Sequence, residues 1–426
     1  MLVIDQIRRS RETVESGLQK RNWKPEQIQI LDTIIALDDD RKAVQTQMDT
    51  MLSESNSLAR QIGEAMKTGE SALAAELKVR VAELKGGISE QEAKMHAIKT
   101  SLENKLLTVP NIPHADVVAG VAAEDNFLYR AWDRPLPVLA EGSVPHWELA
   151  EKYNLFDMKA GASITGSGFI VYRGQGAKLQ RALINYFLDY NTAAGYEEIL
   201  PPYLVNEASA YATGQLPDKE GQMYYMEKDD LYLIPTAEVP VTNIWRDKIL
   251  KESDLPVKAT GYTPCFRREA GSYGAHVKGL NRVHQFDKVE LVRIEKPENS
   301  YGVLQEMVEH VAALLESLEL PYRILRLCGG DMGFTSAMTY DFEVWSAAQE
   351  RWLEVSSVSN FEAYQANRMK LRYKNTDNKM ELLHTLNGSS LALARIVAAL
   401  LENHQTPEGI RIPTAVQSYF GAKMIS

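Results

Sequence analysis

The stretch CFRREAG, Cys265–Gly271, sets two arginines side by side between an aromatic residue and a glutamate, with a glycine just beyond. On a solvated surface such a group is an ion pair worth little. Facing a ligand it is a clamp, because a guanidinium offers a planar fork of donors that matches phosphate or carboxylate. Downstream, HQFDKVELVRI alternates, so that Phe286, Lys288 and Glu290 share one face of a strand. Arg267 and Glu269 share a face for the same reason, and the glycine-punctuated run AGSYGAHVKGLNR separates the two segments. The pair reads as a hairpin that presents an arginine, a lysine, a ring and two carboxylates on one surface. Turned into a core, those uncompensated charges would be costly. Two readings remain: a solvated outer face, or the floor of a site for a ligand with a flat ring, phosphates and an amine. The floor is the better match to the residue types.

Composition narrows what that ligand can be. The 426 residues carry a formal net charge of −10, with 45% hydrophobic and 24% charged residues. That is the balance of a globular chain long enough for two or three domains. A net acid does not coat nucleic acid indiscriminately, since such binding comes from neutralising phosphates. The acid is uneven, however: residues 1–110 have a net charge of −1 and the remainder −9. The N-terminal part is therefore the less repulsive surface for RNA. Cys265 and Cys328 are the two cysteines, and neither CxxC nor HExxH occurs, so no zinc site is expected. No apolar run is long enough to span a membrane, and MLVIDQIRRSRETVESG has no apolar signal core, so a reducing cytoplasm is the expected compartment. GxxxxGK[ST] is absent, and GSG at Gly166–Gly168 and GQG at Gly174–Gly176 read as turns.

The elements that must position these residues fall into two halves. Ile34, Leu37, Arg41, Val44, Met48, Met51, Ser55, Leu58 and Ile62 alternate in steps of three and four, as a coiled-coil seam does. Ala74, Leu77, Val81, Leu84, Ile88, Gln91, Met95, Ile98 and Leu102 repeat the pattern. KTGES, Lys67–Ser71, lies between, with Gly69 able to turn left-handed, so two long helices must fold back antiparallel. Such an arm is either a dimerisation hairpin or spacer, or a lever that touches a large partner. VPNIPH, Val109–His114, ends it and marks a boundary between domains 1–110 and 111–426.

Beyond the boundary the period changes. GAKLQRALINYFLDYNTAAG puts Leu179, Leu183, Tyr186, Phe187 and Tyr190 on one helical face. YEEILPPYLV follows as a strand that its prolines, Pro201 and Pro202, confine to an edge or interface. LYLIPT, HQFDKVELVRI, YDFEVW and RWLEVSSVS then suggest an antiparallel sheet flanked by helices, the last of them LALARIVAALLENH. The fold class is α+β.

TPCFRREAG followed by HQFDKVEL resembles motif 2 of the class II aminoacyl-tRNA synthetases, and within them the seryl-tRNA synthetase family. TGQLP (Thr213–Pro217), PTAEVP (Pro235–Pro240), DMGF (Asp331–Phe334), EVSSVSNFEAYQANR (Glu354–Arg368) and HTLNGSSLALAR (His384–Arg395) match that family in order, so the resemblance covers the whole chain. It implies a tRNA-binding N-terminal arm followed by a class II catalytic domain. It further implies that Arg267 holds the α-phosphate of ATP and the carboxylate of serine, that Glu269 lies across the nucleotide, and that Phe286 stacks on adenine. Val283 would offer its main chain to the base, Arg268, Val355 and Ser356 would belong to the ATP site, and Arg395 would brace the triphosphate. Glu354 and Ser357 correspond to ligands of the Mg2+ that accompanies ATP, hard oxygen donors as that ion requires. L-serine would be read by Thr236, Ala237, Glu238, Arg267, Glu290, Asn387 and Ser389. Taken alone, Thr-Ala-Glu is more often a helix start than a pocket, and Arg395 could be a buried ion-pair partner. The resemblance also implies a cytoplasmic homodimer acting on tRNA(Ser), and on tRNA(Sec) in an organism that has one. Arg268 stands where the family commonly has serine, and Ser390 and Ala394 where it commonly has glycine; none of these is a named ligand apart from Arg268, whose contact they leave open.

Overall fold

The computed structural model describes residues 1–218, 220–269 and 278–426. The chain forms two compact units, one of Leu2–Gln19 and Trp23–Pro110, the other of Met1, Lys20–Asn22 and Asn111–Ser426.

In the first unit, helix α1 (Ile30–Thr68, 39 residues) and helix α2 (Ser71–Leu106, 36 residues) are joined by Gly69 and Glu70. Gly69 caps α1 in the left-handed region at φ 81°, its amide bonded to the Ala65 carbonyl. At about 1.5 Å per residue, α1 is roughly 58 Å long. The heptad spacing is expressed directly in burial: every seam residue is buried or half-buried, while nearly all residues between are exposed. Val44, Met95 and Ile98 form the tightest part, with Leu37 and Met48 against them. Arg41, the charged member of the α1 seam, is accommodated because its guanidinium reaches Asp38 at 2.8 Å. Lys42 and Arg8 also contact that carboxylate, at 2.8 and 2.9 Å. Burial alone would raise the Asp38 pKa, but hydrogen bonds from Lys42, Arg41 and Arg8 hold it down to about 2.

The second unit is built on an eight-stranded sheet: β1 (Phe127–Arg130), β2 (Glu197–Glu198), β3 (Val257–Phe266), β4 (Gln285–Glu295), β5 (Tyr322–Arg326), β6 (Met338–Ser346), β7 (Arg351–Asn360) and β8 (His384–Ala392). The spatial order is β1-β5-β6-β7-β8-β4-β3-β2. Every ladder is antiparallel except the outermost, where β2 runs parallel to β3. β2 is thus the edge strand that the following prolines require, and it contributes only two residues.

Helices α3 (His146–Tyr153), α4 (Gly174–Ala193), α5 (Ser300–Ser317), α6 (Ala363–Met369) and α7 (Leu393–Asn403) complete the parts needed here. Leu179, Leu183 and Phe187 of α4, Met307 and Val311 of α5, and Ile396 and Leu400 of α7 join Val289 and Leu291 of β4 and Phe342 of β6 in one core. The pleat then turns Lys288 and Glu290 to the other face. Gly388 of β8 also faces the core: a Cβ there would come within 3.0 Å of Val358 and 3.3 Å of Met307. Its neighbours Asn387 and Ser389 therefore look the opposite way. No helix among the described residues is long and apolar enough to cross a membrane.

Candidate active site

The face opposite the helices carries a cleft of about 400 Å³, within the ~300–1,000 Å³ range of small-molecule sites. Its floor is the hairpin of β3 and β4, whose register pairs Phe286 with Cys265 and Glu290 with Gly261. β8 lies on the other side of β4, with Ser389 opposite Glu290 and Asn387 opposite Val292. Three neighbouring strands thus bring distant segments together on one surface.

β7 supplies the far wall through an irregularity. Its register against β6 shifts between Phe342, opposite Ser356, and Glu343, opposite Glu354, leaving Val355 as the extra residue of a bulge. In an unbroken strand Glu354 and Ser356 would share a face. With the bulge, Glu354, Val355, Ser356 and Ser357 all line the cleft. Ser356 donates to the Ser389 carbonyl at 2.6 Å, tying β7 to β8.

One end of the cleft is acidic and buried. Thr236 donates to Glu290 Oε2 at 3.1 Å, and Lys288 Nζ lies 2.6 Å from the same oxygen. Lys288 and Glu290 are both buried, and their pairing meets the cost that an isolated charge would incur. Glu238, at the start of the short helix Glu238–Asn243, is buried beside them and accepts from Gln365 of α6 at 2.7 Å. Burial and the neighbouring Glu290 push the Glu238 carboxyl up to about 7, against the opposing effects of Gln365, Lys288 and Arg267. This end can hold a cation and hydrogen-bond donors.

The other end is cationic. The Arg267 guanidinium lies 5.3 Å from the centre of the Phe286 ring, and its Nε donates to the Pro235 carbonyl at 3.3 Å. Arg395, in the first turn of α7, donates to the Asn281 carbonyl at 2.9 Å and the Glu354 carbonyl at 2.7 Å. Its Nη1 also lies 3.7 Å from the Glu354 carboxylate. Glu269 pairs with Arg282 at 2.5 Å. Arginines at this end, an aromatic ring beside Arg267 and a carboxylate end beyond suit a ligand that is anionic in one part and cationic in another.

Of the residues named from sequence, all but two line this cleft. Ala237 is buried in a small cluster with Val241, Ala259 and Val292 behind the wall. Arg268 is exposed and points its guanidinium at Tyr224, 5.7 Å from the ring centre. The loop of the hairpin falls partly outside the described residues, which resume at Lys278. Several contributors went unassigned in the sequence. Gln215 lies within the quoted TGQLP, and its Oε1 is buried without a hydrogen-bond partner. Asn281 and Arg282 enter from the return of the loop. Gln365 braces Glu238 from behind, held in turn by Thr385 at 2.7 Å.

An antiparallel sheet with paired arginines over a hairpin floor is the core of a class II aminoacyl-tRNA synthetase. Residues 223–404 match the tRNA synthetase class II core domain (G, H, P, S and T), and residues 1–113 match the seryl-tRNA synthetase N-terminal domain. The chain is 48% identical to the serine–tRNA ligase of Salinibacter ruber, over 99% of this chain and 98% of that protein. It is 46% identical to that of Akkermansia muciniphila, over 100% and 99%. The crystal structure of seryl-tRNA synthetase from Pyrococcus horikoshii complexed with ATP is similar throughout, with a TM-score of 0.90 at 33% identity, covering 100% of this chain and 99% of that one. The chain belongs to the seryl-tRNA synthetase family, and it catalyses the ATP-driven ligation of serine to tRNA.

Proposed function

We propose that the acidic end of the cleft reads L-serine, the cationic end holds ATP, and the helical arm binds tRNA(Ser). The observation that carries the reading is the convergence, in one cleft, of Arg267, Arg395 and Phe286 with the buried pair Glu238 and Glu290. Arg267 would sit where both substrates meet, gripping the serine carboxylate and the α-phosphate. Phe286 and the main chain of Val283 would take the adenine, Glu269 would lie across the nucleotide, and Val355 and Ser356 would shape its wall. Thr236, Glu290, Asn387 and Ser389 would pair with the ammonium and hydroxyl of serine. A site that hydrogen-bonds a hydroxyl rejects alanine strongly and threonine, which adds only a methyl, less so.

Glu354 and Ser357 would hold the Mg2+ of ATP. Both are hard oxygen donors on the open wall, and Asp341 Oδ1 lies buried and unpartnered across the ladder from Ser357. Among the described residues no group of three His, Cys, Asp or Glu side chains is set to hold a metal alone. That suits an ion arriving with the triphosphate, which needs only one or two carboxylates from the protein. When bound, the ion would supply charge neutralisation to the phosphates.

The chemistry needs no covalent enzyme intermediate. The serine carboxylate attacks the α-phosphorus in line, the bond to the bridging oxygen breaks, and pyrophosphate leaves. The terminal ribose 3′-OH of tRNA then takes the seryl group and AMP departs. Catalysis is positioning and neutralisation of charge by arginines fixed beforehand. Residues 1–110 would form the tRNA-binding domain and 111–426 the catalytic one, working in the cytoplasm. A homodimer is supported by exposed apolar residues beside the edge strand, Leu200 at 76% exposure with Tyr203 and Leu204. The same reaction would extend to tRNA(Sec) in an organism that has one. Serine-dependent pyrophosphate exchange tests the assignment: Arg267→Ala should abolish it while circular dichroism stays native. Wild-type exchange in that variant would overturn the reading.

A further inference from the structure

Behind the nucleotide end of the cleft, and lining none of it, lies a buried histidine–carboxylate pair. His146, the first residue of α3, and Glu402, in the last turn of α7, are both fully inaccessible. His146 Nδ1 is 2.6 Å from Glu402 Oε1, and the His146 amide donates to the same oxygen at 3.1 Å. Ser346 donates to the other carboxylate oxygen. The far ring nitrogen, Nε2, lies 2.9 Å from the amide of Leu280. An amide can only donate, so Nε2 is unprotonated and the ring proton sits on Nδ1, shared with Glu402. The tautomer is therefore fixed by its partners.

What this pair grips is the return of the motif 2 loop. Leu280, Asn281, Arg282 and Val283 all line the cleft. Gly279 precedes them at φ 69°, and a Cβ there would fall 2.2 Å from His146 Nε2, so only glycine permits the approach. Glu402 Oε1 also accepts from Gln349 at 3.0 Å, and Asn281 donates to Gln349 Oε1 at 2.8 Å. The Asn281 carbonyl in turn receives Arg395 Nε at 2.9 Å. One buried carboxylate thus ends two chains of hydrogen bonds: one through the imidazole to the Leu280 main chain, one through Gln349 and Asn281 to Arg395.

We infer that His146 and Glu402 are positioning residues for ATP, holding the Leu280–Val283 wall and the Arg395 guanidinium in the geometry that the nucleotide meets. The inference rests on the reading of this end of the cleft as the nucleotide site. It concerns ATP and not serine, because the serine end is built on β4, β8 and the Glu238 helix, while the hydrogen bonds of the pair run to Leu280, Ser346 and Gln349.

Pyrophosphate exchange kinetics and hydrogen exchange by mass spectrometry, both on the full chain, test it together. His146→Ala leaves the buried Leu280 amide without an acceptor, a loss equivalent to about tenfold or more. The KM for ATP should rise by about that factor while the KM for serine stays within about twofold. Exchange at Leu280–Val283 should quicken by a similar factor, with β4 unchanged. His146→Gln, which can return an acceptor oxygen to the Nε2 position, should recover much of both. Equal changes in the two KM values, unaltered exchange, or no recovery with glutamine would overturn the inference. If His146→Ala does not fold, Glu402→Gln keeps the shape and should show the same two effects at smaller size; their absence would be equally decisive. Arg395→Ala separates the underlying reading: an unchanged KM for ATP there would remove the nucleotide assignment itself. A raised KM in Arg395→Ala beside unaffected His146 variants would remove only the brace.

Discussion

Serine binding should expel a proton from the enzyme. Glu238 is raised from the ordinary 4.5 to about 7 by burial and by Glu290 beside it. At pH 6 the free enzyme therefore holds that carboxyl about nine-tenths protonated. An α-ammonium arriving at this end of the cleft replaces the missing counter-charge and draws the pKa back toward its ordinary value. If the return is complete, some 2.5 units at about 1.36 kcal/mol each couple binding to ionisation, roughly 3.4 kcal/mol in all. Serine would then bind about 70-fold more weakly at pH 5 than at pH 8, and at pH 6 about 0.9 proton would be released per serine. Titration calorimetry at pH 6 in buffers of different ionisation enthalpy reads that proton directly. Glu238→Gln should flatten the pH dependence and lose affinity at pH 8. The stability of the free enzyme follows the same group. A pKa raised by folding contributes stability that is full below 4.5 and lost as the pH rises through 7, so Glu238→Gln should melt higher than the wild type at pH 8 but not at pH 4.5. Calorimetric heats independent of buffer, with affinity flat from pH 5 to 8, would refute the coupling.

Glu290→Ala should raise the KM for serine by about 100-fold or more, since Thr236 and Lys288 lose the oxygen they share, while the KM for ATP moves by no more than about threefold. Equal losses in pyrophosphate exchange would point to a nucleotide role instead. Deleting Ile34–Leu102 with a short linker removes both seams at once, together with the Asp38 carboxylate that Arg8 contacts. Serine-dependent exchange should then persist within a few fold, while aminoacylation collapses and its salt dependence flattens as fewer phosphates are neutralised. A deletion variant that charges tRNA normally would make the hairpin a spacer.

The two helices of the arm were legible because a seam with a period of three and four is a one-dimensional signal, and its charged member Arg41 found its partner three residues away in Asp38. The floor of the cleft was legible for the same reason, since the alternation of Phe286, Lys288 and Glu290 survives into β4. What escaped depends on contacts that no local pattern encodes. A bulge at Val355 sets the consecutive residues Glu354 to Ser357 along the cleft, which strict alternation of a strand does not predict. Gln365 serves Glu238 from a helix 127 residues away, and His146 meets Glu402 across 256. Ala237 carries no polar side chain, and its place behind the wall follows from packing. The parallel pairing of β2 is set by where the chain returns after α4, which strand composition does not state.

The two-residue edge strand also limits what can be added to the sheet. An exposed edge is a template for any passing segment with free amides, the first step of aggregation. Here the rim is two glutamates, and Pro201 and Pro202 follow within four residues, withholding amide donors where a further rung would form. Indiscriminate strand addition is discouraged by charge and by the missing hydrogens. Leu200, Tyr203 and Leu204 stay uncovered on the same rim. The edge is closed to backbone and open to side chains, so in the proposed homodimer a second copy would dock on those side chains rather than add a strand.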